Sequence, residues 1–234
     1  MHSTAYSYLN KDKLLHADML LTLNMNEGDI LYAAPDGVLV YNRPGCVYML
    51  SMSDEACLSE VLPLMSDAEL VVLHQPQFKA PFIQELGLRL DMECFQYVYL
   101  NSTPPNIPAP PGVELKTIEP AEAAFVFQHY SHASNFEYIQ YCIEQGMIGA
   151  YKDSQLMGFI GCHGEGSMGL LEVLPQYRRQ GLALCLGAAL MAKLLQQGRT
   201  PYSQVVVGNE ASIALQKRSG MQPADTTVCW LCRD

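Results

Sequence analysis

The residues whose types and spacing bear on chemistry gather in one turn. An apolar run, Met168-Gly-Leu-Leu-Glu-Val-Leu174, stops at Pro175, and Arg178-Arg179-Gln180-Gly181-Leu182-Ala183 then leads into a long apolar stretch. A strand feeding a helix through such a turn leaves the first helical peptide N–H groups without partners, and the helix dipole adds partial positive charge there. That is a site for an anion, phosphate above all. Gly181 and the small Ala183 let a bulky diphosphate approach the backbone. Arg178 and Arg179 place two cations where acidic residues are normally preferred, a local violation of the kind that marks functional sites. The ordinary alternative is a surface turn with two solvated arginines, and spacing alone does not separate the two.

The elements that must position this turn follow from pattern. Residues 101–112, Asn-Ser-Thr-Pro-Pro-Asn-Ile-Pro-Ala-Pro-Pro-Gly, carry too many prolines for a helix or a central strand, and read as a connector. The expected domains are therefore 1–100, the linker 101–112, and 113–234. In the first, a helix over 8–25 precedes strands at 30–33, 38–42 and 46–52. A helix from Ser53 or Asp54, a strand at 70–74, a short helix over 78–86 and a strand at 93–100 complete it. The second repeats that order: a strand at 113–118, a helix from Pro120, and a helix capped by Ser134 or Asn135. Strands at 148–151, 156–162 and 168–174 follow, then a helix over 181–195, a strand at 203–207, a helix over 210–218 and a terminal strand to Cys232. The fold class is mixed α/β, and the shared order marks the first half as a diverged copy of the second.

Composition narrows the function. The 234-residue chain is 49% hydrophobic and 16% charged, with a net charge of -10. That acidity argues against nucleic-acid binding and against an anionic membrane surface. The first twenty residues scatter Lys11, Asp12, Lys13 and Asp18 where a secretory leader needs an unbroken apolar stretch, and no run approaches a spanning helix. The eight dispersed cysteines read as reduced thiols of a cytoplasmic protein. Only Cys229 and Cys232 have a metal-like gap. They lie in a strand-like tail without further ligands, so no metal is expected.

Arg178-x-x-Gly181-x-Ala183 resembles the Q/R-x-x-G-x-G/A signature of the GNAT superfamily of N-acetyltransferases. Asn209-Glu-Ala-Ser212-Ile-Ala-Leu215-Gln216-Lys217-Arg-Ser219-Gly220-Met221 resembles that family's second cofactor-side element, N-x-x-[AS]-x-x-L-Y-x-K-x-G-F. The resemblance covers residues 113–234. The segments LPQYRRQGL and PYSQVVVGNEAS look most like the glycine N-acyltransferase-type branch. It implies a mixed sheet with two splayed central strands and acetyl-CoA, or another acyl-CoA, as cofactor. The pantetheine arm would pair with backbone near Leu171 and Val173. Backbone from Arg179 through Gln180, Gly181, Leu182 and Ala183 to Leu184 would cradle the pyrophosphate, with Asn209 and Ser212 on the cofactor's far side.

Amide formation needs a base for the amine and donors for the oxyanion. Within the resemblance, the N–H of Val173 is the oxyanion donor. Ungapped counting puts Ser167 where relatives carry a carboxylate. Glu165 lies two residues earlier on the same strand face, Glu172 points the other way unless a bulge intervenes, and His163 sits in the adjoining turn. All three remain candidates. Gln216 stands where many relatives have a tyrosine acid. Gln128, His129, Tyr130, His132, Asn135 and Tyr138 would line the entrance of a small amine or amino acid. A CoA-binding sensor without catalysis is the competing class, and a homodimer completed by the first half stays open beside a monomer.

Overall fold

A computed structural model describes residues 1–130, 132 and 135–233. Ser134, one of the two caps expected for the second hairpin helix, lies outside the described residues.

The chain opens with α1 (His2–Leu9) and α2 (Ala17–Asn24). The single helix expected over 8–25 is thus two. Asp12 breaks it, because its carboxylate accepts from the backbone N–H groups of Leu14 and Leu15, offering the chain a turn instead of a helix. The meander β1 (Gly28–Ala34), β2 (Gly37–Asn42) and β3 (Val47–Met52) follows. Next come the short α3 (Leu58–Val61), β4 (Leu70–Leu73), α4 (Lys79–Leu86) and β5 (Arg89–Val98). Beyond the proline-rich segment lie β6 (Glu114–Thr117), α5 (Ala123–His129), α6 (Phe136–Glu144), β7 (Ile148–Lys152), β8 (Gln155–Cys162) and β9 (Met168–Val173). The chain closes with α7 (Leu182–Gln196), β10 (Tyr202–Val206), α8 (Glu210–Arg218) and β11 (Gln222–Cys232).

These elements form two compact units, and the units are not the contiguous halves expected. The first holds Met1–Val98, Gln204–Glu210 and the chain from Gln222 onward; the second holds Tyr99–Ser203 and Ala211–Met221. The departure from the expected 113–234 domain is β11, which runs antiparallel to both β4 and β5 inside the first unit's sheet. That sheet has the order β1-β2-β3-β4-β11-β5-β10. Its strands are covered on both faces: Val38 and Val40 of β2 pack with Leu9 and Met19, while Leu39 packs oppositely with Val61 and Phe82. A strand buried on both sides reads as a continuous apolar run, as Gly37–Asn42 does. Between β3 and its parallel neighbour β4, the turn carries Asp54 and Glu55, and Asp54 caps Ala56. Two carboxylates at that helix start repel an anion, so the first unit does not duplicate the turn at Gly181.

The second unit's sheet has the order β6-β7-β8-β9. Ile139, Cys142 and Ile143 of α6, together with Val126 of α5, join Phe159 and Leu170 in one core cluster. Asn135 starts α6 as expected, its side chain accepting from the N–H of Tyr138. Helix α7 is apolar nearly all round and contacts β7, β8 and β9. Among the described residues, no helix is long and apolar enough to cross a membrane.

Candidate active site

The turn between β9 and α7 has the geometry its composition implied. Arg179 adopts a left-handed conformation at φ 64°, and Gly181, at φ 83°, is the N-cap of α7. Gly181 O accepts from the N–H groups of Leu184 and Cys185, and the N–H of Arg178 reaches Pro175 O. Among the described residues, the five peptide N–H groups from Arg179 to Ala183 meet no protein acceptor. A Cβ built on Gly181 would meet nothing within 4 Å. The open side of the turn therefore has room for a ligand, and its unpaired donors fit a diphosphate. Leu184 is already committed to the helix and adds no free donor.

Strand β9 ends the sheet, so among the described residues its outer edge carries no strand partner. The N–H of Leu174 bonds Met157 O, and Val173 stands opposite Gly158. Since hydrogen-bonded and non-bonded pairs alternate, the N–H and C=O of Val173 point away from β8, toward the open edge. That placement suits the donor expected for an oxyanion.

The bulge left open by the sequence is present. Phe159 pairs with Glu172 and Gly161 with Gly169, so Ile160 alone faces both Leu170 and Leu171. Leu170 takes φ 48° to make it. The extra residue reverses the alternation and brings Glu172 onto the same sheet face as Gly169, Phe159 and His163. The expectation that Glu172 points away is corrected by this geometry, and Leu171 lies within the bulge itself.

The three candidate bases differ in their partners. Glu165 is 8% exposed and accepts from Ser167 Oγ, while its backbone carbonyl accepts from the hydroxyl of Tyr202. His163 Nδ1 lies 2.7 Å from the hydroxyl of Tyr138, and its ring edge occupies the space a Cβ on Gly169 would need. Glu172 is 21% exposed and held by Arg178 at 3.0 Å. Arg178 also donates from Nε to Val173 O at 2.9 Å. Its guanidinium is thus turned back onto β9 and away from the free N–H groups, a direction the motif did not disclose.

Of the residues expected at the acceptor entrance, Tyr130 packs edge-on against Phe159 and His132. Burial first, then the neighbouring Cys142 and Glu172, push its phenol above the ordinary value. Tyr138 is raised in the same way, by burial and then by Cys142 and Glu165. Asn135 is consumed by capping α6, His129 bonds Phe125 O, and Gln128 is exposed. Tyr130, Tyr138, His163 and Glu172 therefore line one face around the bulge. Asn209 lies in the first unit, where its N–H bonds Val206 O, and Ser212 lies in the second, in the first turn of α8. Among the described residues, no group of three or more His, Cys, Asp or Glu is placed to hold a metal.

Residues 147–231 match the family described as FR47-like protein. A GCN5-related N-acetyltransferase from Kribbella flavida superposes with a TM-score of 0.62 at 14% identity, covering 93% of this chain and 95% of that one. The fold is that of the GNAT acetyltransferases. A Drosophila protein solved by structural genomics gives a TM-score of 0.66 at 20% identity, over 85% of this chain and 74% of its own. A tandem GNAT protein from the clavulanic acid biosynthesis pathway spans 99% of this chain and 95% of its own, at 16% identity and a TM-score of 0.50. A search of curated proteins returned no significant match. At these identities the likeness fixes the GNAT fold of the chain and leaves its substrate to the site.

Proposed function

We propose that this protein is an acyl-CoA-dependent N-acyltransferase, moving an acetyl or other short acyl group to the amine of a small molecule or amino acid. The observation that carries this reading is the run of five unpaired N–H groups from Arg179 to Ala183 around the open side of Gly181. Those groups would hold the diphosphate of CoA, with Ser212, in the same unit, serving the far side of the nucleotide. The free edge of β9 would pair with the pantetheine amides near Leu171 and Val173, and bring the thioester to the bulge. The LPQYRRQGL turn further suggests the glycine N-acyltransferase-like branch.

In the transfer, the amine nitrogen bonds the thioester carbon, the carbon–sulfur bond breaks, and the amine proton passes to a base. The oxyanion faces the N–H of Val173. Of the three candidates, Glu172 stands beside that donor and shares the face of Tyr130, whereas the carboxylate of Glu165 is buried against Ser167. His163, just beyond the end of β8, packs beside Gly169, about three residues back along β9 from Glu172 and so roughly 10 Å away at the usual rise. Glu172 is accordingly the proton acceptor in this reading. The leaving thiolate then takes the proton, which Gln216 is unable to supply. The test is release of free thiol from acetyl-CoA and longer acyl-CoAs against a panel of amines and amino acids. Turnover with at least one amine supports the transferase; CoA binding without turnover on any of them would favour a sensor.

A further inference from the structure

Arg178 performs two contacts that a bound acyl-CoA would contest. Its terminal nitrogen holds Glu172 at 3.0 Å, and its Nε holds Val173 O at 2.9 Å. Glu172 is the carboxylate beside the oxyanion donor, and Val173 O is an acceptor that the edge of β9 would otherwise offer to an extended ligand. The same arginine begins the turn whose five N–H groups stand free. One side chain therefore covers the base and the strand edge together.

We infer that Arg178 is a latch: in the free protein it masks Glu172, and acyl-CoA releases that carboxylate by drawing the guanidinium away. This inference rests on the acyltransferase reading above and adds to it a coupling between the two substrates.

The energetics favour exchange. Arg178 is 56% exposed, so its bond to Glu172 is an exposed ion pair, worth little against water. A diphosphate offers a denser negative charge and several acceptors at hydrogen-bonding distance, and arginine binds such groups in a fork. Pantetheine amides arriving on the open edge would compete for Val173 O at the same time. Once the guanidinium leaves, Glu172 has no other hydrogen-bond or ion-pair partner among the described residues and faces Tyr130 across the bulge, free to take the proton of the incoming amine. The acyl donor must then bind before the amine can be deprotonated, so the base is withheld until a thioester is in place.

A competition of this kind has a signature that needs no turnover. If CoA must take Arg178 from Glu172, removing the carboxylate strengthens CoA binding. Glu172→Gln keeps the shape of the side chain and abolishes the charge. The proposal expects calorimetric titration with free CoA to show Glu172→Gln binding about two- to fivefold tighter than the parent, the range spanned by an exposed ion pair. Arg178→Gln should bind CoA more weakly. In that background, adding Glu172→Gln should change nothing, because the contested pair is already gone. Unchanged or weaker binding by Glu172→Gln, or equal effects of that substitution in both backgrounds, would overturn the latch. Loss of CoA binding in the parent itself would instead sink the acyltransferase reading and the latch with it. Arg178 is exposed in the turn and Glu172 is partly exposed on edge strand β9, and thermal midpoints within a few degrees of the parent would show that the variants fold.

Discussion

Removing the carboxylate of Asp18 should destabilise the first unit more than any other polar substitution in it. Asp18 and His74 are both fully buried, with Nε2 of the imidazole 2.9 Å from Oδ1. The imidazole's other nitrogen bonds Leu50 O. The pair holds itself charged: Asp18 is pushed down by His74 against the opposing effect of burial, and His74 is pushed up by Asp18 against burial. Cutting away one member of such a pair leaves an uncompensated charge in the interior and costs about 3–5 kcal/mol. With a urea dependence of about 2 kcal/mol per molar, Asp18→Ala should lower the unfolding midpoint by roughly 2 M. The protein carries its own probe. Its single tryptophan, Trp230, donates to Gln204 Oε1 at 2.6 Å, and Gln204 Nε2 in turn reaches Asp18 at 3.5 Å and Gln96 at 2.8 Å. Urea titration followed by Trp230 fluorescence therefore reads the unit that contains the pair. The double substitution Asp18→Asn with His74→Gln, which removes both charges, should recover part of the loss. A shift below about 0.5 M for Asp18→Ala, or no recovery in the double variant, would refute a buried ion pair here.

The same neighbourhood predicts a pH dependence. Burial, and then the charge of His74, lower His16 to about 4, so between about pH 6.5 and 4 the unfolded chain binds a proton that the folded one refuses; stability falls over that window by about 3 kcal/mol. His74, raised in the fold, contributes fully below about 6.5 and loses its contribution as pH rises through its folded value, while Asp18 loses its own only as pH falls through a value below 3.8. The first unit should thus be most stable near pH 6.5 by Trp230 fluorescence, and a profile still rising at pH 8 would contradict this. Thiol labelling of the native protein should show one fast site, Cys46, abolished by Cys46→Ser; Cys57 is held up to about 11 and Cys94 and Cys229 to about 12, each chiefly by burial, and they should react only on unfolding.

Local chemistry was readable from the sequence where short-range signals decide structure. Asn135 as the cap of α6, the span of α8 and the turn at Gly181 all follow from residues within a few positions of one another. Three features depend on what the sequence does not encode locally. The bulge in β9 falls on Leu170, which takes a left-handed conformation without being glycine, so no residue type announces it. Strand β11 pairs with β4 and β5, more than a hundred residues away, and its alternation reveals a strand but not which sheet receives it. The polar chain from Asp18 through Gln96 and Gln204 to Trp230 is likewise assembled from distant segments. At the site itself, the composition of the turn disclosed its cations and the amides left without a protein acceptor. The direction of Arg178, back onto Glu172 and Val173, depends on the conformation of the turn and became visible only in three dimensions.

The proposed binding of acyl-CoA by this chain depends above all on the amides around Gly181. Calorimetric titration of the parent and of Gly181→Glu with CoA tests it directly. A side chain there would fill the open side of the turn from a backbone at φ 83°, and a carboxylate would repel the diphosphate. The expected result is measurable binding by the parent and a loss of at least about 100-fold in the variant, equal to forfeiting two charge-assisted hydrogen bonds at ~1.5–3 kcal/mol each. Equal affinity in both proteins, or none in the parent, would contradict the assignment of this turn.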